Sequence, residues 1–144
     1  IAGKMDLNLM KVVEHHEKCR FEDVNLKLIG FTTPDKLINY LCNSTMYVHT
    51  AYIENSPNSI CEAQILGVPI VSTNVGGIST LLDGNGDLVP ANDPWQMANA
   101  IIDLANNKDK MIRYSKNGRK IASLRHSPEV IKEQLVNCYE VLLG

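Results

Sequence analysis

Two carboxylates, Glu54 and Glu62, stand with seven residues between them, and the turn Ser56-Pro57-Asn58-Ser59 runs through the gap. A carboxylate at the rim of a crevice accepts hydrogen bonds from the hydroxyls of a sugar. The turn offers a different chemistry. Pro57 stiffens it and has no N–H to give. A helix starting near Asn58 or Ser59 presents unpaired N–H groups and partial positive charge, where a phosphate is held. Glu62 falls about one turn into that helix and can point back to the same crevice. A carboxylate there repels phosphate but suits the paired hydroxyls of a ribose. The three groups match sugar, diphosphate and ribose, the parts of a nucleotide-sugar. The plainer alternative is that Glu62 only favours the positive end of its helix.

These residues need elements to hold them. A strand over 46–52 delivers Glu54 just past its carboxyl end, and a helix over about 59–66 is ended by Gly67 with Pro69. Further strands are predicted over 25–31, 69–75 and 86–90, and further helices over 7–19 and 34–42. Strands alternating with helices imply βαβ units, hence an α/β, Rossmann-like parallel sheet with helices on both faces. The continuous apolar runs "LIG" and "PIV" suit such a doubly covered sheet. After Pro90 the pattern is helical only. Asp93 is a predicted N-cap with Pro94 behind it, and Met97, Ala98, Ile101, Ile102 and Ala105 form a buried stripe. Trp95 is expected to pack at the edge of this layer. A more polar helix follows over 109–124. Ser127 and Pro128 open a last one, whose Ile131, Leu135, Cys138 and Leu142 share a face expected to pack back onto the sheet. Ligands of open parallel sheets bind beyond the carboxyl ends of the strands. That rule selects 3–5, 30–33, 52–59 and 74–80.

The 144 residues suffice for one domain. A net charge of −2 argues against a nucleic-acid surface or an anionic-membrane surface. Four isolated cysteines fit a reducing, cytoplasmic setting rather than a disulfide framework. No apolar run approaches the length of a membrane span, and no signal-peptide pattern is seen. The opening "IAG" reads as the end of a buried strand, so the chain is expected to be a piece of a longer protein.

The stretch "ENSPNSICEAQILGVPIVSTNVGG" resembles the C-terminal donor-binding lobe of family 4 retaining glycosyltransferases of GT-B type. Glu54, Pro57, Asn58, Glu62, Ala63, Gly67, Pro69, Gly76 and Gly77 fall on that motif, and the resemblance runs over the whole chain. It implies a single GT-B lobe over 1–144 that binds a UDP- or GDP-sugar in polysaccharide biosynthesis, with no metal and no cofactor besides the donor. It places Glu54 near the transferred sugar as the catalytic group, in a positioning and charge-stabilising role. It places Glu62 on the ribose. Ser56, Asn58 and Ser59 supply N–H groups to sugar and diphosphate, and Phe31 and Thr32 border the base. Gly3 sits at the first loop, where the family often has Gly-x-Gly and this chain has Gly3-Lys4-Met5; Lys4 adds charge there.

The chain departs from the family at Thr80, where a glutamate is frequent, and in a shortened turn at 83–86. The family's Arg/Lys pair for the leaving diphosphate and its acceptor lobe lie upstream of Ile1. The isolated piece is therefore expected to be inactive, with the missing lobe as its partner; any membrane contact would come through that lobe. A second reading is a degenerate lobe that binds nucleotide-sugars without transferring them. A third is an unrelated doubly wound domain, disfavoured because no GxGxxG follows a strand.

Other residues invite simpler readings. His15 and Cys19 share a helix face but lack further ligands, so a solvated face is expected. His49 is expected at the edge of the crevice, near Glu54. Cys61 is assigned to packing, and the basic run over 116–120 to a solvated face.

Overall fold

The computed structural model describes residues 7–18, 20 and 22–143, with side chains from residue 10 onward. In chain order the elements are α1 (Leu7–Glu17), α2 (Pro34–Cys42), β1 (Tyr47–His49), α3 (Asn58–Leu66), β2 (Ile70–Thr73), α4 (Ile78–Leu82), β3 (Asp87–Val89), α5 (Pro94–Asn106), α6 (Lys108–Arg125) and α7 (Pro128–Leu143). The chain divides into two compact units, Ile1–Asn39 and Tyr40–Gly144.

In the first unit, the strand expected over 25–31 does not form. Asn25 closes a turn at φ +52°, and Gly30 takes φ +70° and makes only an isolated bridge. Left-handed residues near both ends interrupt an extended run that has no ladder among the described residues. The predicted strand end "IAG" lies outside the described residues.

The second unit carries a three-stranded, fully parallel sheet in the order β1-β2-β3. Register pairs Val48 with Val71 and Thr73 with Val89. β2 is central and buried at every position, as a strand covered on both faces must be. Because side chains alternate, Val48 and Val71 face one side. There they meet Val89, Met97 and Leu104 of β3 and α5, and Tyr114 of α6. Tyr47 and His49 face the other side, where α3 lies: the Tyr47 hydroxyl reaches Ser59 of α3. On that side of the molecule α3 packs against α4 and α6. Ile60, Ile70, Ile78 and Leu82 are fully buried, each contributing roughly 1.5–3 kcal/mol by leaving water.

The helix ends are chemically explicit. Gly67 at φ +74° closes α3: Gly67 N–H donates to Gln64 O at 2.9 Å and Val68 N–H to Ala63 O at 2.8 Å, a Schellman motif. Asp93 caps α5 as expected, accepting from Gln96 N at 2.9 Å, with Pro94 at the first turn. Lys110 of α6 joins Asp87 at 2.9 Å and Asp103 at 2.7 Å, and Tyr114 donates to Asp87 at 2.9 Å. The start of β3 is thereby tied to α5 and α6.

Three packing expectations are corrected. The buried face of α5 is Met97 and Leu104, with Ala100 and Ile101 beside them, while Ala98, Ile102 and Ala105 are exposed. Trp95 is 80% exposed, because it stands about 200° around the helix from Met97. α7 buries no residue, and Leu142 is 79% exposed. α5 and Tyr114 already cover the sheet, so α7 meets α6 instead. The short helix α4 falls where an open loop was expected.

Candidate functional site

The sheet brings its carboxyl ends to one edge, and backbone contacts join the loops that leave it. Asn74 N–H donates to Val89 O at 2.8 Å, and the Thr73 hydroxyl donates to Ala51 O at 2.6 Å. The Tyr52 hydroxyl donates to Asn92 Oδ1 at 3.1 Å. Gly77 N–H donates to Asn55 O at 2.8 Å. Gly76 takes φ +54°, and a Cβ built there would overlap the carbonyl oxygen of Glu54; one on Gly77 would lie 2.7 Å from Asn55 O. The glycine pair is thus what lets the loop after β2 close on the backbone that bears Glu54.

Glu54 is anchored at one carboxylate oxygen, and the other stands near His49. Oε1 accepts from Asn55 N–H at 2.9 Å, and Oε2 lies 3.9 Å from His49 Nε2. His49 Nδ1 lies 3.2 Å from the Tyr47 hydroxyl, which donates to Ser59 Oγ at 3.0 Å. A polar chain therefore runs from the first turn of α3, across β1, to the Glu54 carboxylate. Glu62 is half-buried on α3, the helix that also carries Ser59. Burial raises the Tyr47 phenol above its ordinary pKa. The bond to Ser59 opposes that, and the charges of Glu62 and then Glu54 add to it. Both carboxylate charges thus act on this one hydroxyl. Burial lowers the His49 imidazole below its ordinary pKa, and the Glu54 charge opposes this. Burial raises the Cys61 thiol, against the pull of Arg125.

Pro57 occupies the N-cap position of α3, in extended geometry and with no side-chain cap. The amides of Asn58 and Ser59 fall in the first turn, where a helix supplies no partner of its own. Ser56 and Asn58 are exposed, Ser59 and Glu62 half-buried, and Pro57 buried. These residues and Glu54 form one constellation. Phe31 and Thr32 belong to the first unit, where Phe31 is 84% exposed. Gly3, Lys4 and Cys19 lie outside the described residues.

Some groups had no reading, or a different one, from sequence. Tyr47 was legible only as a strand residue; its position two before His49, on the same strand face, was the available signal. Arg119 is no idle member of a basic run: it donates to Ile65 O at 3.1 Å and Leu66 O at 2.6 Å, capping α3. Arg125 does the same for α4, donating to Leu81 O at 2.9 Å and Thr80 O at 3.3 Å. The Thr80 side chain is exposed. A separate hollow of about 420 Å³, with Thr50, Tyr52, Thr73, Asn92, Met97 and Ile101 among its lining residues, opens on the α5 side and includes neither glutamate. Among the described residues no group of three or more His, Cys, Asp or Glu is placed to hold a metal ion. No helix among them is long and apolar enough to cross a membrane.

With this α/β arrangement and its carboxyl-edge site in view, the kinship of the chain is plain. The family model of the group 1 glycosyl transferases matches residues 1–107, and the chain belongs to that family. It is 32% identical over 108 residues to the capsular polysaccharide biosynthesis glycosyltransferase CapM of Staphylococcus aureus, which covers 74% of this chain and 28% of that protein. It is 30% identical over 114 residues to the 2-deoxystreptamine N-acetyl-D-glucosaminyltransferase of Niallia circulans, covering 78% and 27%. Among solved structures it matches HepE of Anabaena, in complex with UDP-glucose, at a TM-score of 0.73 and 22% identity, over 97% of this chain and 40% of that one. TarM matches at 0.74 and 26% identity, over 95% and 27%. The fold is that of GT-B glycosyltransferase structures. The chain spans less than a third of the length of the curated relatives it matches.

Proposed function

We propose that the chain is the C-terminal, donor-binding lobe of a family 4 retaining glycosyltransferase. The parent would transfer a hexose or hexosamine from a UDP- or GDP-sugar to a glycan or lipid-linked acceptor in polysaccharide biosynthesis. The observation that carries this reading is Glu54 on the loop after β1, linked through His49, Tyr47 and Ser59 to the tip of α3, which has no side-chain cap. The complex of HepE with UDP-glucose supports the ligand class by kinship.

In this reading the first-turn amides of α3, with the N–H groups of Ser56, Asn58 and Ser59, hold the diphosphate and the sugar hydroxyls. Glu62 accepts from the ribose. Glu54 accepts from the transferred sugar and stabilises the positive charge that develops on it as the bond to the diphosphate breaks. Anchoring Oε1 of Glu54 beforehand is preorganisation of the kind that lowers a barrier. The departing diphosphate needs cationic partners that this reading assigns to the upstream lobe, so the 144-residue chain alone is expected to turn over no donor.

The test is titration of the labelled chain with UDP, GDP, UDP-glucose and GDP-mannose, followed by amide NMR. Saturable shifts at Ser56, Asn58, Ser59 and Glu62 are expected with one nucleotide series. Shifts elsewhere, or none, would sink the assignment. Sugar transfer by the isolated chain would disprove the division of labour between lobes.

A further inference from the structure

His49 Nε2 is shut off from solvent and has no hydrogen-bond partner among the described residues, although a carboxylate oxygen of Glu54 lies 3.9 Å away. An unsatisfied buried nitrogen in such a position asks for a reason. We assign the tautomer from the direction of the Tyr47–Ser59 bond. The Tyr47 hydroxyl has one proton and gives it to Ser59 Oγ. Its oxygen can then only accept from His49, so Nδ1 carries the imidazole hydrogen at 3.2 Å. Nε2 is left as a bare lone pair against Glu54 Oε2. Two acceptors face one another just outside bonding distance, while Glu54 Oε1 is anchored by Asn55 N–H at 2.9 Å.

We propose that His49 is a positioning residue for Glu54. In its neutral Nδ1–H form it leaves Oε2 free to accept from a sugar hydroxyl; when protonated from solvent it closes an ion pair onto Oε2 and withdraws it from the ligand. This rests on the donor-lobe reading above. The groups that face the imidazole are Tyr47 on β1, Glu54 on the loop after β1, and Ser59 on α3, with Glu62 of α3 acting on the same Tyr47 hydroxyl. Glu54 is the acid in direct line with Nε2. The depressed basicity of the buried ring keeps it neutral near pH 7.

The experiment measures affinity of the chain for UDP-glucose, GDP-mannose and the free diphosphates between pH 7.5 and 5.5, in wild type and in His49→Asn. Asparagine can still donate to Tyr47 but has nothing to place at Nε2. Wild type should lose affinity for the sugar nucleotide progressively on acidification, towards about tenfold once the ring is fully protonated, the weight of one hydrogen bond to a charged group. The free diphosphate should lose none through His49, and His49→Asn should be flat for both. Equal acid profiles in wild type and variant would overturn the proposal, as would an equal acid loss for the diphosphate without sugar. A second arm needs no variant. Imidazole nitrogen NMR of the wild-type chain should show Nδ1 protonated and Nε2 bare at pH 7; the opposite tautomer rejects the proposal. If neither nucleotide series binds at any pH, the donor-lobe reading itself fails and takes this inference with it.

Discussion

The carbonyl oxygen of Glu54 occupies the space into which any side chain on Gly76 would grow. Alanine at 76 would combine a left-handed φ of +54° with a backbone overlap that cannot be relieved by rotating a side chain. Gly76→Ala is expected to destabilise the chain by about 2–4 kcal/mol, the sum of left-handed strain and overpacking. Gly84→Ala is the matched control: φ is +73° with nothing within 4 Å, so strain alone of ~1 kcal/mol should remain. Urea midpoints of the two variants decide the point.

The two glutamates should separate by ligand. Glu62→Gln is expected to weaken UDP (or GDP) and its sugar alike, because the ribose is common to both. Glu54→Gln should weaken only the sugar nucleotide. Each loss should be roughly 10- to 100-fold, as for a hydrogen bond to a charged acceptor. Calorimetry with nucleotide and sugar nucleotide side by side reads the split.

Lys110 is expected to matter to stability and not to binding. Its burial lowers its pKa, but the bonds to Asp103 and Asp87 outweigh that and hold it above the ordinary lysine value. A raised pKa means that the folded chain keeps the proton longer than the unfolded one. The stabilisation is therefore complete below the ordinary lysine pKa and is lost as pH climbs through the folded value. Lys110→Met should cost about 1–3 kcal/mol at neutral pH by leaving Asp87 without its cation, with nucleotide affinity unchanged. Denaturant melts at pH 7 and nucleotide titration of the same variant check both halves.

His49 works in the opposite sense. Its folded pKa lies below 6.5, chiefly through burial, so the unfolded chain takes up a proton first. Its contribution to stability is present above pH 6.5 and is lost as pH falls through the folded value. The urea midpoint of wild type should fall between pH 7 and 5 more steeply than that of His49→Asn; parallel lines would show that the ring is not buried as described.

Much of the second unit was legible because each feature had a local cause. Gly67 followed by Pro69 ended α3, Asp93 with Pro94 opened α5, and the alternation from 46 to 90 implied the parallel sheet. The spacing of Glu54 and Glu62 was visible, but the Tyr47–His49–Ser59 chain that links their surroundings was not. It depends on β1 and α3 being neighbours, and one sequence does not print tertiary contacts. The strand at 25–31 failed for the converse reason. Its apolar run satisfied the local rule, yet Gly30 and Asn25 adopt left-handed geometry and no ladder forms on it among the described residues. The helical stripe of α7 predicted an apolar face correctly in kind; what covers such a face is a question of competition for the sheet, which α5 wins.

β1 is only three residues long, yet its odd and even positions serve different masters. Val48 is a core residue, while Tyr47 and His49 look toward α3 and the acids. Such a strand can be changed at 47 or 49 by point substitution while Val48 keeps its place in the interior. Insertion or deletion of one residue before it would invert both faces together, so length at this spot should be far less free to drift than side-chain identity.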